Sequence, residues 1–192
     1  MTLRLTIKDE NIVTHDVRFS RRSATLLLKE AVQLLQTIPG VGEHVAEVIV
    51  SEIGTDMARF PSDKHLSSWA GMCPGNNESA GKRKSGKTTK GSNYLRAALT
   101  QAGWAASHTK NTYLAAQQRK LVRRIGKKKA LVAVGHSILV IAYHILKNRA
   151  SYHELGGDYF DRQNVQVQRA RYIRKLEALG LKVTVEVAPE AA

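Results

Sequence analysis

Apolar residues recur at the spacing of an amphipathic helix in several segments of the chain. Near the N-terminus, Leu27, Ala31 and Leu34 follow this spacing and predict a helix over residues 23–35. The same pattern predicts helices over residues 43–53, 66–70, 94–107, 112–125, 129–147 and 165–179. Alternating patterns over residues 1–19 and 181–187 predict short strands at the N- and C-terminal ends. The fold class expected is mainly α, with a helical bundle after residue 93.

The connection over residues 37–42, Thr-Ile-Pro-Gly-Val-Gly, joins the first two predicted helices. Two helices linked by such a turn predict a helix-hairpin-helix. We expect Gly40 and Gly42 to allow positive φ and a close backbone approach. The free N–H groups that begin the second helix would then bind a phosphate without reading base sequence. The alternative is an ordinary helical turn that binds no ligand.

Residues 73–93 contain almost no large apolar side chain, which predicts a long, flexible, basic loop. A loop of this length inside a compact domain usually has a function. Residues 81–88 match the phosphate-loop pattern G-x-x-x-x-G-K-[ST], which requires a buried strand before it and a helix directly after it. The Pro74-Gly75 sequence before the pattern disfavours such a strand, so nucleotide hydrolysis is not favoured.

Charge is distributed unevenly along the 192 residues, whose formal net charge is +14. Residues 79–153 contain no Asp or Glu but carry sixteen of the 30 Lys and Arg residues. This segment predicts a polyanionic partner, namely the phosphate backbone of DNA or RNA. The alternative is a basic surface without a ligand. Helices 94–107 and 112–125 belong to this segment, and the second carries a basic face with Arg119, Lys120, Arg123 and Arg124.

The cellular setting expected is the cytoplasm. The single Cys73 excludes an internal disulfide, and the first residues lack the apolar core of a secretory signal. Residues 130–146 are strongly apolar, but they are shorter than the ~20 residues of a membrane span. They also include His136 and His144, so we predict a buried helix and no membrane partner. Trp69 and Trp104 lie at apolar helical positions and are predicted to be core residues, with base stacking as the alternative.

Four hydroxyl groups lie in the cationic loop, on Ser79, Ser85, Thr88 and Thr89. A hydroxyl that attacks a phosphodiester must lose its proton, and nearby cations must neutralise the developing charge. The loop supplies cations for the second requirement. Chemistry alone does not choose among these hydroxyls, and all four could be flexible loop residues without a catalytic role.

Several separate motifs resemble those of one family and occur in the same order as in that family. They include Ile38-Pro39-Gly40-Val41-Gly42, Ala70-Gly71-Met72-Cys73-Pro74-Gly75, Glu78-Ser79-Ala80-Gly81 and Lys90-Gly91-Ser92-Asn93-Tyr94-Leu95-Arg96. From about Leu34 to Tyr159 the chain resembles the C-terminal domain of the insertion-sequence one-ten (pilin-invertase, bridge-RNA-guided) transposases.

The resemblance implies a nucleophile and a reaction. Ser79 matches the serine of the family's Ser-(Ala/Gly)-Gly element, which attacks DNA and forms a phosphoserine linkage, whereas Ser85 does not match it. We therefore expect Ser79 to be catalytic in the intact enzyme. The residues expected to contact nucleic acid are Gly40, Gly42, Lys82, Arg83, Lys84, Lys87, Lys90, Arg96, Arg119, Arg123 and Arg124.

The family also implies partners: DNA, a structured guide RNA and further copies of the enzyme in a homo-oligomer, in the prokaryotic nucleoid. Its N-terminal RuvC-like domain holds Mg²⁺ with four acidic residues. We expect residues 1–33 to be a leader or a remnant too short for that domain, residues 34–160 the transposase domain, and residues 161–192 a C-terminal helix and strand. The chain itself is expected to hold no metal or cofactor.

These expectations leave open whether the chain is an enzyme by itself. On this interpretation it binds nucleic acid but does not cleave or join DNA alone. The alternative is a non-catalytic nucleic-acid-binding module or a regulator of transposition.

Overall fold

The computed structural model describes residues 21–73, 77–85, 87–163 and 165–184. Over these residues the fold is mainly α, as predicted. The helices are α1 (Arg21–Gln36), α2 (Glu43–Ile53), α3 (Asp63–Trp69), α4 (Asn93–His108), α5 (Tyr113–Ile125), α6 (Lys127–Asn148), α7 (Tyr159–Gln163) and α8 (Val165–Ala178), with a 3-10 helix at Met57–Arg59. Two short strands, β1 (Asn77–Ser79) and β2 (Lys82–Ser85), lie between α3 and α4.

Each helix predicted from apolar periodicity is present, and α2 has the predicted bounds. Periodicity did not predict the 3-10 helix, α7 or the pair of strands, all of which are short. The strands predicted in residues 1–19 lie outside the described residues. Of the predicted C-terminal strand, residues 181–184 have no regular structure, and the rest lies outside the described residues.

Hydroxyl side chains fix where several helices begin. Ser62 Oγ accepts a hydrogen bond from His65 N at the start of α3. Ser92 Oγ accepts one from Leu95 N (3.2 Å) at the start of α4. At the start of α5, Thr112 Oγ1 accepts one from Ala115 N (3.3 Å). Because each bond satisfies an N–H group that has no partner within the helix, these residues are N-caps.

Helix α6 lies at the centre of the bundle, in contact with α1, α3, α4, α5 and the 3-10 helix. Its closest partner is α4, because glycine replaces a side chain on both sides of the crossing. A Cβ atom at Gly103 would lie 3.0 Å from Leu131 O, and one at Gly135 would lie 2.9 Å from Leu99 O. The helix is long and apolar enough to cross a membrane by length and composition, and half of its apolar window is buried within the protein.

The prediction that Trp69 and Trp104 are core residues is wrong, since these side chains are 49% and 57% exposed. The face of α4 that packs inward carries small residues such as Ala102 and Gly103, which allow the backbones to approach closely. An indole would not fit in that space. Trp104 therefore lies on the outer face of α4, with its ring 4.5 Å from that of His108.

The C-terminal helices attach to the bundle through aromatic rings. Tyr113 at the start of α5 contacts Tyr159 edge-on (5.1 Å between centroids) and stacks on Phe160 (5.3 Å) in α7. Glu154 Oε1 accepts hydrogen bonds from Tyr113 N and Gly156 N, which also joins this segment to α5. Helix α8 contacts α7 and no other described helix or strand. Most of the described residues of α8 are accordingly exposed.

Candidate nucleic-acid interface

The predicted flexible loop contains an antiparallel β-hairpin. Asn77 pairs with Ser85, Glu78 with Arg83, and Ser79 with Lys82. The register skips one residue of β2, as in a β-bulge. The loop is two residues long, and both have positive φ, Ala80 at 49° and Gly81 at 73°. A two-residue turn of type I′ requires this conformation and matches the twist of the strands.

Ser79 occupies the tip of this hairpin as the last residue of β1. Its cross-strand partner is Lys82, the first residue of β2, and both side chains are exposed. Paired residues of an antiparallel hairpin share a face, with Cβ atoms about 5 Å apart. The turn residues Ala80 and Gly81 are exposed too. A hydroxyl group and a cation are therefore presented together to the solvent, beyond the helical bundle.

The hairpin joins the bundle through a narrow stem, formed by residues 70–73 and 89–91. Thr89 N donates a hydrogen bond to Cys73 O (3.4 Å) across the stem. A Cβ atom at Gly71 would lie 2.7 Å from Gly91 N, and one at Gly91 would overlap the carbonyl group of Ala70. The two backbones thus cross in direct contact, at a distance that only glycine allows.

Arg96 was predicted to contact phosphate, but it is part-buried in the first turn of α4. Its Nη2 donates hydrogen bonds to Gly71 O (3.1 Å) and Thr89 O (2.7 Å), which belong to opposite sides of the stem. Lys82, Lys87 and Lys90 are exposed, and Arg83 and Lys84 belong to β2.

The phosphate-loop pattern does not adopt a phosphate-loop structure. Gly81 lies in the hairpin turn, and the residues that follow it form β2. The next helix, α4, begins at Asn93 and does not follow Thr88 directly. The strand–loop–helix arrangement that would hold a triphosphate is therefore not formed.

The turn between α1 and α2 approaches another helix closely. Gly40 has φ +86°, as predicted, and a Cβ atom there would lie 2.5 Å from Ala102 O and 2.8 Å from Ala106 Cα. Gly40 thus allows the turn to pack on α4. The expectation of positive φ at Gly42 is wrong, because its φ is −84°. A Cβ atom at Gly42 would meet nothing within 4 Å, so the start of α2 is open to solvent.

A second group of cations lies where α5 ends and α6 begins. Gly126, with φ +80°, is both the C-cap of α5 and the N-cap of α6. We call the group around it the basic ridge; its members, all exposed, are Arg119, Lys120, Arg123, Arg124, Lys127, Lys128 and Lys129.

The basic ridge is unfavourable for the fold itself. The first turn of α6 holds three lysines and no acidic residue, although the helix dipole favours negative charge there. Like charges at helical spacing also repel one another. An anionic partner would relieve both effects. The residues predicted to contact nucleic acid included the three arginines of the ridge but none of its four lysines. The position of Lys127, Lys128 and Lys129 beside the arginines depends on the turn at Gly126.

Histidines and acids of the described residues do not form a metal site. No group of three or more His, Cys, Asp or Glu side chains is placed to hold a metal ion there. The residues described here therefore do not fit the Mg²⁺ that the family resemblance implies. Burial lowers the pKa of His136, and the nearby Asp63 carboxylate acts in the opposite direction. His144 is exposed and contacts the ring of Tyr143 edge-on.

Comparison with known proteins shows that part of this chain is similar to transposases. Residues 32–119 match the model of the Transposase IS116/IS110/IS902 family, which confirms the resemblance shown by the motifs. The chain is 32% identical over 127 residues to the pilin gene-inverting protein of Moraxella bovis, an alignment of 62% of this chain and 38% of that protein. For the pilin gene-inverting protein of Moraxella lacunata the values are 32% over 121 residues, 59% and 36%. The chain thus spans less than two fifths of these curated relatives.

Proposed function

We propose that this chain is the DNA-binding, serine-bearing part of a transposase that cuts and rejoins DNA through a phosphoserine intermediate. The observation that carries the proposal is the position of Ser79 beside Lys82 at the exposed tip of the hairpin. A nucleophile for DNA must reach a phosphodiester that lies on the surface of a large, stiff polymer. A protruding hairpin meets this requirement better than an enclosed cavity.

The chemistry assigned to Ser79 is a transesterification. Its hydroxyl group loses a proton to a base, and Oγ forms a bond to phosphorus while one phosphorus–oxygen ester bond of the DNA breaks. The departing DNA oxygen takes up a proton and becomes a hydroxyl group. Attack by a DNA hydroxyl on the phosphoserine then reverses these steps and frees Ser79. Since one ester bond replaces another, the strands are rejoined without an external energy source.

The cations around the serine have separate tasks in this proposal. Lys82, on the same face of the hairpin, stabilises the charge that develops on the phosphoryl oxygens. Arg83, Lys84, Lys87 and Lys90 bind the flanking phosphates. The basic ridge binds DNA phosphates away from the reacting one, and the start of α2 at Gly42 is an additional backbone contact. Such contacts hold the duplex in place without selecting its sequence.

The remaining parts of the reaction are proposed from the family. Its RuvC-like domain would supply Mg²⁺ chemistry and a base for the serine proton. A structured guide RNA would select the sites, and several copies of the enzyme would assemble on the DNA. The name of the two Moraxella relatives describes the inversion of a pilin gene. An inversion cuts and rejoins DNA, which agrees with recombination as the activity proposed here.

The proposal is tested by replacing the serine and following the DNA. In the Moraxella bovis relative, alanine at the position aligned with Ser79 should abolish inversion and the covalent protein–DNA product. In this chain, Ser79→Ala should leave DNA affinity unchanged, because the hydroxyl group carries no charge.

Ser85→Ala, in the same hairpin, is the matched control. In the relative, alanine at the position aligned with Ser85 should leave the covalent product intact. Inversion that persists without the aligned serine would sink the assignment of Ser79. DNA binding without any covalent product in the intact relative would favour the alternative, a binding module that regulates transposition.

A further inference from the structure

We propose that Arg96 is a positioning residue, which fixes the direction in which the Ser79 hairpin leaves the helical bundle, and that it is not a phosphate ligand. The proposal rests on the proposed function for the importance of Ser79. Its basis is the stem of the hairpin, where one guanidinium group joins the two chain segments that lead to and from the serine.

The hydrogen bonds of Arg96 join residues that are far apart along the chain. Its Nη2 donates to Gly71 O (3.1 Å), before the hairpin, and to Thr89 O (2.7 Å), after it. Both acceptors are backbone carbonyls, so the bonds fix the main chain itself. Arg96 belongs to α4, whose neighbours Leu95 and Leu99 are fully buried. The stem is thereby joined to a helix that packs into the buried core.

The same guanidinium group is poorly placed to bind a phosphate. Its Nε is buried and has no hydrogen-bond partner, so this side of the group faces protein and not solvent. A phosphate contact through Nη2 would require both carbonyl bonds to break. That exchange would leave the Gly71 and Thr89 carbonyl groups without this donor, which is a cost to the stem.

The two backbone segments of the stem pack directly against each other at two glycines. Gly71 has φ +65°, and a Cβ atom there would lie 2.7 Å from Gly91 N and 2.8 Å from Thr89 O. At Gly91 a Cβ atom would overlap the carbonyl group of Ala70. There is no room for a side chain between the two segments. The hydrogen bonds of Arg96 to both segments keep them in this contact.

The hairpin has no second attachment among the described elements. Strands β1 and β2 contact each other and none of the described helices. For the described residues, the orientation of Ser79 relative to the basic ridge therefore depends on the stem. A loosened stem would let the serine sample many directions, and the fraction of time in a productive orientation would fall.

The test uses the full chain and two variants that loosen the stem differently. Arg96→Gln removes the charge-assisted clamp, whereas Gly91→Ala keeps every charge and forces the crossing apart. Lys90→Gln is the matched control, because it removes an exposed charge beside the crossing. Backbone ¹⁵N relaxation is measured for the amides of residues 79–82 and of the helical bundle, and circular dichroism verifies that each variant is folded.

Both stem variants should lower the order parameters of residues 79–82 from about 0.85, typical of rigid backbone, towards 0.6, while the bundle amides stay ordered. Lys90→Gln should leave them unchanged. The second measurement is the slope of log affinity for duplex DNA against log salt concentration. Lys90→Gln should reduce this slope by about 0.9, the value for one phosphate contact, and Arg96→Gln should not.

A reduced salt slope in Arg96→Gln together with an ordered hairpin would overturn the proposal and make Arg96 a phosphate ligand. An ordered hairpin and an unchanged slope would overturn it as well, since Arg96 would then have neither role. If the wild-type chain did not bind DNA at all, the proposed function would fail, but the relaxation data would still decide whether Arg96 fixes the stem.

Discussion

Ser79 and Lys82 face each other across a two-residue turn, so that their side chains leave the same face of the hairpin. The turn residues between them, Ala80 and Gly81, both have positive φ. This relationship gives the nucleophile proposed here a cation as its nearest cross-strand neighbour. It also makes the presentation of Ser79 depend on the backbone conformation of two small residues.

Substitutions in the turn should have opposite effects at its two positions. Gly81→Ala should destabilise the hairpin by about 1 kcal/mol, because an L-residue is strained at this φ. Ala80→Gly should stabilise it by a smaller amount, since relief of the strain is partly offset by the greater freedom of glycine in the open state. The fraction of paired hairpin, obtained from NMR chemical shifts of residues 77–85, measures both effects.

Steric overlap does not complicate the first of these variants, since a Cβ atom at Gly81 would meet nothing within 4 Å. Any loss of pairing in Gly81→Ala is thus conformational. Equal pairing in both variants would show that the turn does not hold the strands in register.

The two glycines of the α1–α2 turn should respond very differently to alanine. Gly40→Ala should lower the free energy of unfolding by about 3 kcal/mol or more, because the methyl group would overlap the backbone of α4 at Ala102 and Ala106. Gly42→Ala should change it by less than about 0.5 kcal/mol, since its φ is ordinary and its surroundings are open. Chemical denaturation measures both.

Gly42→Ala then also tests the proposed contact between this turn and DNA. If a phosphate approaches the backbone there, the added methyl group should weaken DNA binding several-fold in a protein of normal stability. Undiminished affinity would remove Gly42 from the interface and leave the turn as a packing element of the bundle.

Removal of two arginines from the basic ridge should weaken DNA binding more at low salt than at high salt. Replacement of Arg123 and Arg124 by glutamine should reduce the salt slope by about 0.9 for each phosphate that the variant no longer binds. Because the cations of the basic ridge repel one another, the same change should leave the free energy of unfolding unchanged or raise it slightly. Titrations of a labelled duplex at several salt concentrations provide the slope.

The matched control is the replacement of Arg171 and Arg174 by glutamine. Both arginines are exposed on α8 and lie outside residues 79–153, the segment without Asp or Glu. This replacement removes the same charge from another surface. A slope that falls equally in both double variants would mean that net charge, and not the basic ridge, determines the affinity.

Stability should decrease in mild acid because of His136. Burial lowers its pKa below the ordinary 6.5, so the folded protein binds fewer protons there than the unfolded chain. The stabilising contribution of neutral His136 is complete above pH 6.5 and is lost as pH falls through the lowered value. The melting temperature should therefore decrease from pH 7.5 to about pH 5.5, and less so in His136→Gln. The exposed His144→Gln serves as the control, with the pH profile of the wild type.

Helices were predictable from the sequence because their signals are local and repeated. Apolar spacing defines the buried faces, and Ser92 and Thr112 mark two helix starts by capping. The position of Trp104 was not predictable in this way. An apolar residue at a helical position can face either side of a tightly packed helix, and only the close approach at Gly103 and Gly135 decides the side.

The hairpin was missed because its strands lack the usual pattern. Asn77-Glu78-Ser79 and Lys82-Arg83-Lys84-Ser85 are polar throughout, so no apolar alternation indicates a strand. Its turn is Ala-Gly and not the usual Asn-Gly or Asp-Gly. The choice of Ser79 among four hydroxyls came from the family resemblance, and its role stays a prediction. Arg96 was grouped with the other cations because its charge is visible in the sequence and its carbonyl partners are not.

Because strands β1 and β2 contact none of the described helices, the hairpin can change length without disturbing those helices. Each residue added to both strands would move the tip outward by about 3.3 Å and turn the terminal side chains to the opposite face. Pairs of added residues would instead restore the original face at a greater reach. On the function proposed here, the number of residues in each strand would set how far from the bundle Ser79 meets DNA, and whether that number is odd or even would set which face of the hairpin meets it.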